Sequence, residues 1–416
     1  MGIDPSAIHR AVAARLDEAR ALLCELIRRP SPPGDEVEAM AFAAEAFAAV
    51  GEVEAVGMTN ALRDDADYSD PIEGLTYDGR GNLRVVRPGA GGGKALLLNA
   101  HIDAVPPSPA QADPFDPREV DGSITGRGSC DAKGQVATAW LALAALEDLG
   151  VRLGGDVVTH VVVEEEIGGN GTVAMVARGE AADGCIVLEP TSLRICTSIR
   201  GAVWFRVTLR GEPGHPGRPG STRNALDMAV RVVEVLRGFH DRLLAESRGD
   251  PLFDGYDDPM PLMIGQLHAG TWPSAAAGQA VLAGIHGMLP NKTARQVMDE
   301  MTAAIRDEGG PEIAGNFDIR FLYRHDPSVI PADHPLATEL LAAAGDVGAA
   351  AEIGAMTASC DACYYNNRLG VPTVVFGGGD LADAHSDHEH MPVAALAAAA
   401  ETLAAMAGRF CGTPDA

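Results

Sequence analysis

The chain has 416 residues, too many for one ordinary hydrophobic core and enough for about two domains. Acidic side chains outnumber basic ones by 58 to 32, a formal charge of -26, which argues against nucleic acid or an anionic membrane as a partner because both attract basic patches. Seven cysteines spread over so long a chain are no disulfide framework, so a reducing, cytoplasmic setting is expected.

An amphipathic helix is expected over 11–27, without the basic stretch and small-residue cleavage site of an export signal. Met1-Gly2 with Ser6 matches the myristoylation pattern only loosely, with Pro5 inside it. No apolar stretch approaches the ~20 residues that span a bilayer, so no membrane partner is expected. Four apolar runs then end on metal-binding side chains. Residues 95–98 lead through Asn99 and Ala100 into His101-Ile102-Asp103, and 157–163 into Glu164-Glu165-Glu166. Residues 186–188 lead into Glu189, and 373–376 through a glycine loop to His385. Such runs, bounded by Gly, Pro or Asp, read as strands buried on both faces of a parallel sheet. In such a sheet ligands bind at the carboxyl ends of the strands, where these polar residues fall. Between the first two runs, a glycine-rich turn places Asp131 just before an apolar helix over 134–149; taken alone, Asp131 reads as a helix cap.

From about residue 198 the pattern changes. A half-exposed strand over 202–210, a helix over 224–247 and strands over 261–268 and 279–288 are followed by a helix from Asn291 to residue 308 and a strand over 317–323. That β-α-β-β-α-β order is the ferredoxin-like split unit. After Asp326 the first pattern resumes, with a helix over 335–344, a strand over 371–376 and an alanine-rich helix over 392–408. The expected fold is α/β: a mostly parallel-sheet catalytic domain of residues 1–197 and 326–416, into which a smaller domain of residues 198–325 is inserted.

The polar residues supply imidazole and carboxylate ligands plus a spare carboxylate, the inventory of a two-metal hydrolase. Asp103, two residues from His101, can hold the far imidazole nitrogen. Three consecutive glutamates usually make a solvated turn, but after a buried strand they call for a cation. Glu189 before Pro190 and the loop around His385 each have a bland reading as solvent-facing polar residues; their shared place at strand ends favours one site. Cys360 and Cys363 have C-x-x-C spacing, yet without a second pair they are not read as a zinc or redox site.

These features resemble the di-zinc amidohydrolase family that includes acetylornithine deacetylase, succinyl-diaminopimelate desuccinylase, aminoacylase and carboxypeptidase G. The resemblance covers nearly the whole chain: the H-x-D strand end, the G-R-G-x-x-D-x-K-G turn, E-E-x-G-G, L-E-P-T, the insertion, and A-H-S-x-x-E near the C-terminus. It implies two zinc ions per subunit, with cobalt or manganese as alternatives, bridged by Asp131. His101 and Glu189 would complete one metal, and Glu166 and His385 the other. Glu165 would be the general base and Asp103 would orient His101; Glu164 receives no role. In relatives the inserted domain pairs two subunits, which implies a homodimer in which His215 donates to the oxyanion of the neighbouring site.

The implied reaction is deacylation of a small N-acyl amine or N-acyl amino acid. A metallo-exopeptidase or dipeptidase is the alternative enzyme, and a degenerate ligand-binding homologue the non-enzyme one. Where many relatives carry arginines this chain has Ile285 and Cys363, with His286 and Arg200 as the nearest substitutes for a carboxylate clamp. Gly270-Thr271-Trp272-Pro273-Ser274 and Gly287-Met288-Leu289-Pro290 resemble the branch of acetylornithine deacetylase-like and formylaminopyrimidine deformylase enzymes, and the deformylase substrate has no carboxylate.

Overall fold

The computed structural model describes residues 2–215, 217 and 222–413. The four apolar runs form neighbouring strands of one nine-stranded sheet. At its centre Val157–Val162, Leu96–His101, Gly184–Val187 and Thr373–Val375 run parallel in that spatial order. On one side Gly81–Arg87 pairs antiparallel to Val157–Val162, and Glu52–Gly57 pairs antiparallel to Gly81–Arg87. On the other, Ile195–Ile199 pairs antiparallel to Thr373–Val375, Ser328–Val329 pairs antiparallel to Ile195–Ile199, and Ile353–Met356 pairs parallel to Ile195–Ile199. Residues of Leu96–His101 and Val157–Val162 are buried throughout, because helices cover both faces.

The helix Lys133–Asp148 packs between Pro5–Ile27 and Val393–Phe410. It buries nearly its whole circumference, as a helix apolar all round must. Val393–Phe410 departs from the expectation of no long apolar stretch: by length and composition it could cross a membrane. Its alanines raise the hydropathy, and 67% of it is buried in the protein, against Lys133–Asp148 and Pro335–Asp346. That is the environment of a core helix.

A second, four-stranded antiparallel sheet has the order Leu262–Ala269, Gln279–Met288, Gly201–Arg210, Phe317–His325, with Ala225–Glu246 and Ala294–Glu308 as its helices. Alternate residues Val203, Phe205, Val207 and Leu209 face those helices and form a core with Val232, Leu236, Val297 and Met301. Asn224 caps the first helix through Leu226 N–H, as its position suggests. The second helix starts later than expected. Thr293 and Gln296 form a capping box, whereas the Asn291 side chain bonds Ser247 and the Glu246 carbonyl.

Two chain crossings join the sheets. Ile195–Ile199 continues through Arg200 into Gly201–Arg210, and Phe317–His325 returns to Ser328–Val329. The crossings touch at Gly201, where a Cβ would stand 2.5 Å from the His325 carbonyl oxygen and 2.7 Å from the Pro327 ring. Neither backbone can withdraw without breaking its strand pairing. Gly201→Ala is therefore expected to destabilise the protein by ~1–3 kcal/mol; a urea midpoint equal to wild type in equilibrium unfolding would contradict this.

Candidate metal centre

The parallel strands deliver their polar ends to one crevice. His101 terminates its strand with Nε2 3.0 Å from Asp131 Oδ1 and 3.8 Å from Glu189 Oε1. The other Asp131 oxygen, Oδ2, lies 3.2 Å from His385 Nε2, which is also 3.0 Å from Glu166 Oε2. Two groups of donors result, His101–Asp131–Glu189 and Asp131–Glu166–His385, with Asp131 common to both. Glu165 belongs to neither, yet its Oε2 is 4.0 Å from His101 Nε2. Asp131 does not cap the following helix; the cap position is Ala132, which has no side-chain acceptor. The Asp131–Ala132 peptide bond is cis.

The electrostatics are those of a cation site. Burial, with neighbouring carboxylates adding to it and His101 opposing it, raises the pKa values of Glu165 and Glu189 well above normal. Burial opposes charge on the His385 ring, but Glu166 and Asp131 carry its pKa up to about 11. Like charges crowded in low dielectric favour any added positive charge. Imidazole and carboxylate oxygens are donors suited to zinc and its neighbours, so the residues present fit a divalent pair.

A scan against protein-family models matches residues 97–409 to peptidase family M20/M25/M40. The chain belongs to this family. Its class of chemistry is metal-dependent hydrolysis of amides. Among curated relatives, the acetylornithine deacetylase of Myxococcus xanthus is 30% identical over 339 residues, covering 80% of this chain and 84% of that one. The succinyl-diaminopimelate desuccinylase of Leptothrix cholodnii is 29% identical, covering 70% and 74%. Among solved structures, the yeast dipeptidase Dug1p aligns over 100% of both chains with a TM-score of 0.79 at 14% identity. A dinuclear metal binding peptidase of the M20 family from Bacillus subtilis aligns over 95% of this chain and 98% of its own, with a TM-score of 0.63 at 16% identity. At those identities the structures are alike in fold.

In this family member the donors are held by a surrounding layer of hydrogen bonds. His101 Nδ1 lies 2.9 Å from the Asp103 carbonyl oxygen and 3.5 Å from Oδ1, so the carbonyl is the nearer partner. The Asp103 carboxylate instead accepts the backbone N–H groups of Glu165 (3.2 Å) and Glu166 (3.0 Å). Glu164 adopts a left-handed φ of 63° and is held by Arg80 (2.6 Å), Tyr77 (3.0 Å) and Asn170 (2.9 Å), while Arg80 also pairs with Glu36. His385, at φ 61°, is the one half-exposed donor.

Glu389 is the residue whose role sequence reasoning missed. Its buried carboxylate accepts Arg127 Nη1 (2.6 Å) and the backbone N–H groups of Gly128, Cys130 and Asp131 (3.0–3.2 Å). Arg127 also donates to the His385 carbonyl oxygen at 3.4 Å, so one ion pair ties the Asp131 turn to the His385 loop. Both residues stand in the quoted motifs, and their motif positions were the available signal. His215 lies outside both donor groups, exposed on a turn where its Nδ1 accepts Gly217 N–H at 3.0 Å. Cys360 and Cys363 are buried free thiols whose pKa values burial pushes up.

Glu389→Gln leaves four N–H donors facing a neutral amide. The variant is expected to fold but to bind divalent metal ~10–100-fold more weakly, as read by competition against a chelator; unchanged affinity would remove Glu389 from the site's support.

Proposed function

We propose that the chain is a cytoplasmic, homodimeric hydrolase that removes a small acyl group from an amine or amino acid at a two-metal centre held by His101, Asp131, Glu166, Glu189 and His385. The observation that carries this reading is the shared carboxylate: Asp131 meets the two imidazoles through different oxygens, with Glu165 beside the pair but in neither donor group. Deacylation is favoured over peptide cleavage because the 30%-identical relative spanning 80% of the chain is an acetylornithine deacetylase. The peptidase likeness, at 14% identity, is one of fold.

Divalent cations, zinc in this reading, polarise the scissile carbonyl and bring the pKa of water towards ~7 when bound. Glu165 takes the proton of the attacking water on its carboxylate and returns it to the departing nitrogen. Asp103 keeps Glu165 and Glu166 in place through their backbone N–H groups. His101 and His385 would serve as neutral donors once bound cations displace the ring protons that the neighbouring carboxylates otherwise hold. His215 reaches the neighbouring subunit's site and donates to the developing oxyanion.

Support for pairing comes from the edge of the smaller sheet. Leu262–Ala269 has one edge unpaired among the described residues and exposes Met263 and Leu267. The helix Ala225–Glu246, packed against it, exposes Leu226 and Val230. An open strand edge beside an apolar helix face is a surface that seeks a partner.

A formyl-type substrate without a carboxylate is the second reading. Ile285 sits within its strand and Cys363 is buried, so neither position offers a cation. His286 is fully buried, its pKa pushed down to about 4 by burial, with Nδ1 donating to the Gly287 carbonyl oxygen. The Arg200 guanidinium is engaged by the carbonyl oxygens of Thr357 and Gly201.

Amine release from N-formyl, N-acetyl and N-succinyl compounds and dipeptides, with metal content measured alongside, tests the reaction. Wild type and Glu165→Gln are expected to carry equal metal, with turnover falling about 10²–10⁴-fold in the variant; a fully active Glu165→Gln removes the base from the scheme. Leu267→Glu is expected to halve the solution mass in light scattering and to lower turnover with it. A wild type that is already monomeric and active refutes the pairing.

A further inference from the structure

Glu165 takes part in a second convergence that the two-metal scheme does not use. Its carboxylate, an imidazole nitrogen of His325 and a carboxylate oxygen of Asp361 all lie within 4.8 Å of one another, and all three residues are buried. They come from three separated parts of the chain: the turn after Val157–Val162, the last residue of Phe317–His325, and the segment after Ile353–Met356. His325 and Asp361 are 0% exposed.

His325 and Asp361 each have one polar atom firmly paired and one without a close partner. His325 Nδ1 meets the Tyr323 hydroxyl at 2.8 Å, while Nε2 has no hydrogen bond of ordinary length among the described residues, with the Gly168 carbonyl the backbone acceptor beside the ring. Asp361 Oδ2 accepts the Thr172 hydroxyl at 2.5 Å, while Oδ1 has no donor. The two free atoms face one another across 3.9 Å, too long for a direct hydrogen bond but within reach of one bridging water. Burial pushes the His325 pKa down to about 3, so the ring is neutral. With the Tyr323 hydroxyl donating to Nδ1, Nε2 carries the proton and is a donor.

Gly169 brings the backbone close to both of these atoms. At φ 70° it passes so close that a Cβ would stand 2.2 Å from Asp361 Oδ1 and 3.2 Å from His325 Nε2. Around it the Tyr364 hydroxyl donates to the Gly168 carbonyl oxygen at 2.7 Å, and the Tyr323 hydroxyl pairs with Ser359 at 2.9 Å. Tyr323 is itself stacked on Trp204 of the smaller sheet, with ring centroids 4.9 Å apart. Two buried, half-satisfied polar groups beside a carboxylate would be costly if they had no task.

We infer that His325 and Asp361 are a positioning pair which, through one bridging water, holds the carboxylate of Glu165 in the orientation needed for proton transfer. The inference rests on Glu165 being the base. It ties that base to the last strand of the smaller sheet, because His325 moves with Phe317–His325. A third cation at the same three groups is the competing occupant. It would occupy the carboxylate that has to accept the proton, which argues against it.

The test uses the metal-loaded full-length protein and the best substrate of the panel. His325→Phe and Asp361→Asn are each expected to leave metal content and thermal midpoint near wild type. KM is expected to stay within about three-fold while kcat falls ~100-fold, the signature of a misplaced reacting group. His325→Gln keeps an N–H donor near the Nε2 position and is expected to recover at least about ten-fold of that loss. Equal kcat in His325→Phe and wild type overturns the inference, as does a loss no smaller in His325→Gln than in His325→Phe. A metal content that drops by one ion per chain in His325→Phe makes the cluster a cation site and also overturns it. Active Glu165→Gln would instead defeat the base assignment, so the two failures are separable.

Discussion

The rest of the structure is organised around a concentration of negative charge that water alone would not tolerate in a buried crevice. Asp131, Glu165, Glu166 and Glu189 are drawn together with two imidazoles at the carboxyl ends of parallel strands. At such separations like charges in low dielectric repel by several kcal/mol. Cations among the carboxylates would relieve that repulsion, and folding would then be coupled to metal binding. Asp131 is pivotal because it is the only carboxylate that belongs to both donor groups.

Holding so many carboxylates in fixed orientations requires donors, and the backbone supplies most of them. Asp103 and Glu389 are acids that bind no metal in this scheme; each accepts main-chain N–H groups of the residues next to the ligands. Glu164 and His385 sit at left-handed φ values on either side of the crevice, a conformation that persists only where the surroundings over-determine it. For Glu164 the restraint is the buried Arg80, shared with Glu36. The left-handed turn re-aims the chain as it leaves the strand, so that Glu165 and Glu166 face the crevice on consecutive residues.

The smaller sheet has its own apolar core, yet its two connections to the larger one are polar and buried. Arg200 at one crossing binds carbonyl oxygens of both parts, and His325 at the other lies beside Asp361. Groups that could have clamped a substrate carboxylate are thereby used in joining the sheets. The same allocation places side chains of the smaller sheet against the loop that carries Glu165.

The sequence by itself determined the strand ends. A run of β-branched and aliphatic residues that stops abruptly at His101, at Glu164-Glu165-Glu166 or at Glu189 reads as a strand buried in a largely parallel sheet, whose polar end faces the crevice at the strand ends. The split β-α-β-β-α-β unit was legible for a similar reason, since its strands alternate and its helices carry one apolar stripe. The start of the helix at Thr293 was misplaced because a cap depends on which side chain turns back on the backbone, and Asn291 was engaged elsewhere. Tertiary structure alone decided which groups Glu389, Arg80, His325 and Asp361 meet. Each acts on a partner distant in sequence, Glu389 on a turn about 260 residues away, and no local periodicity records such a pairing. Side-chain identity announces that a charge must be neutralised; only the packed chain determines which group does it.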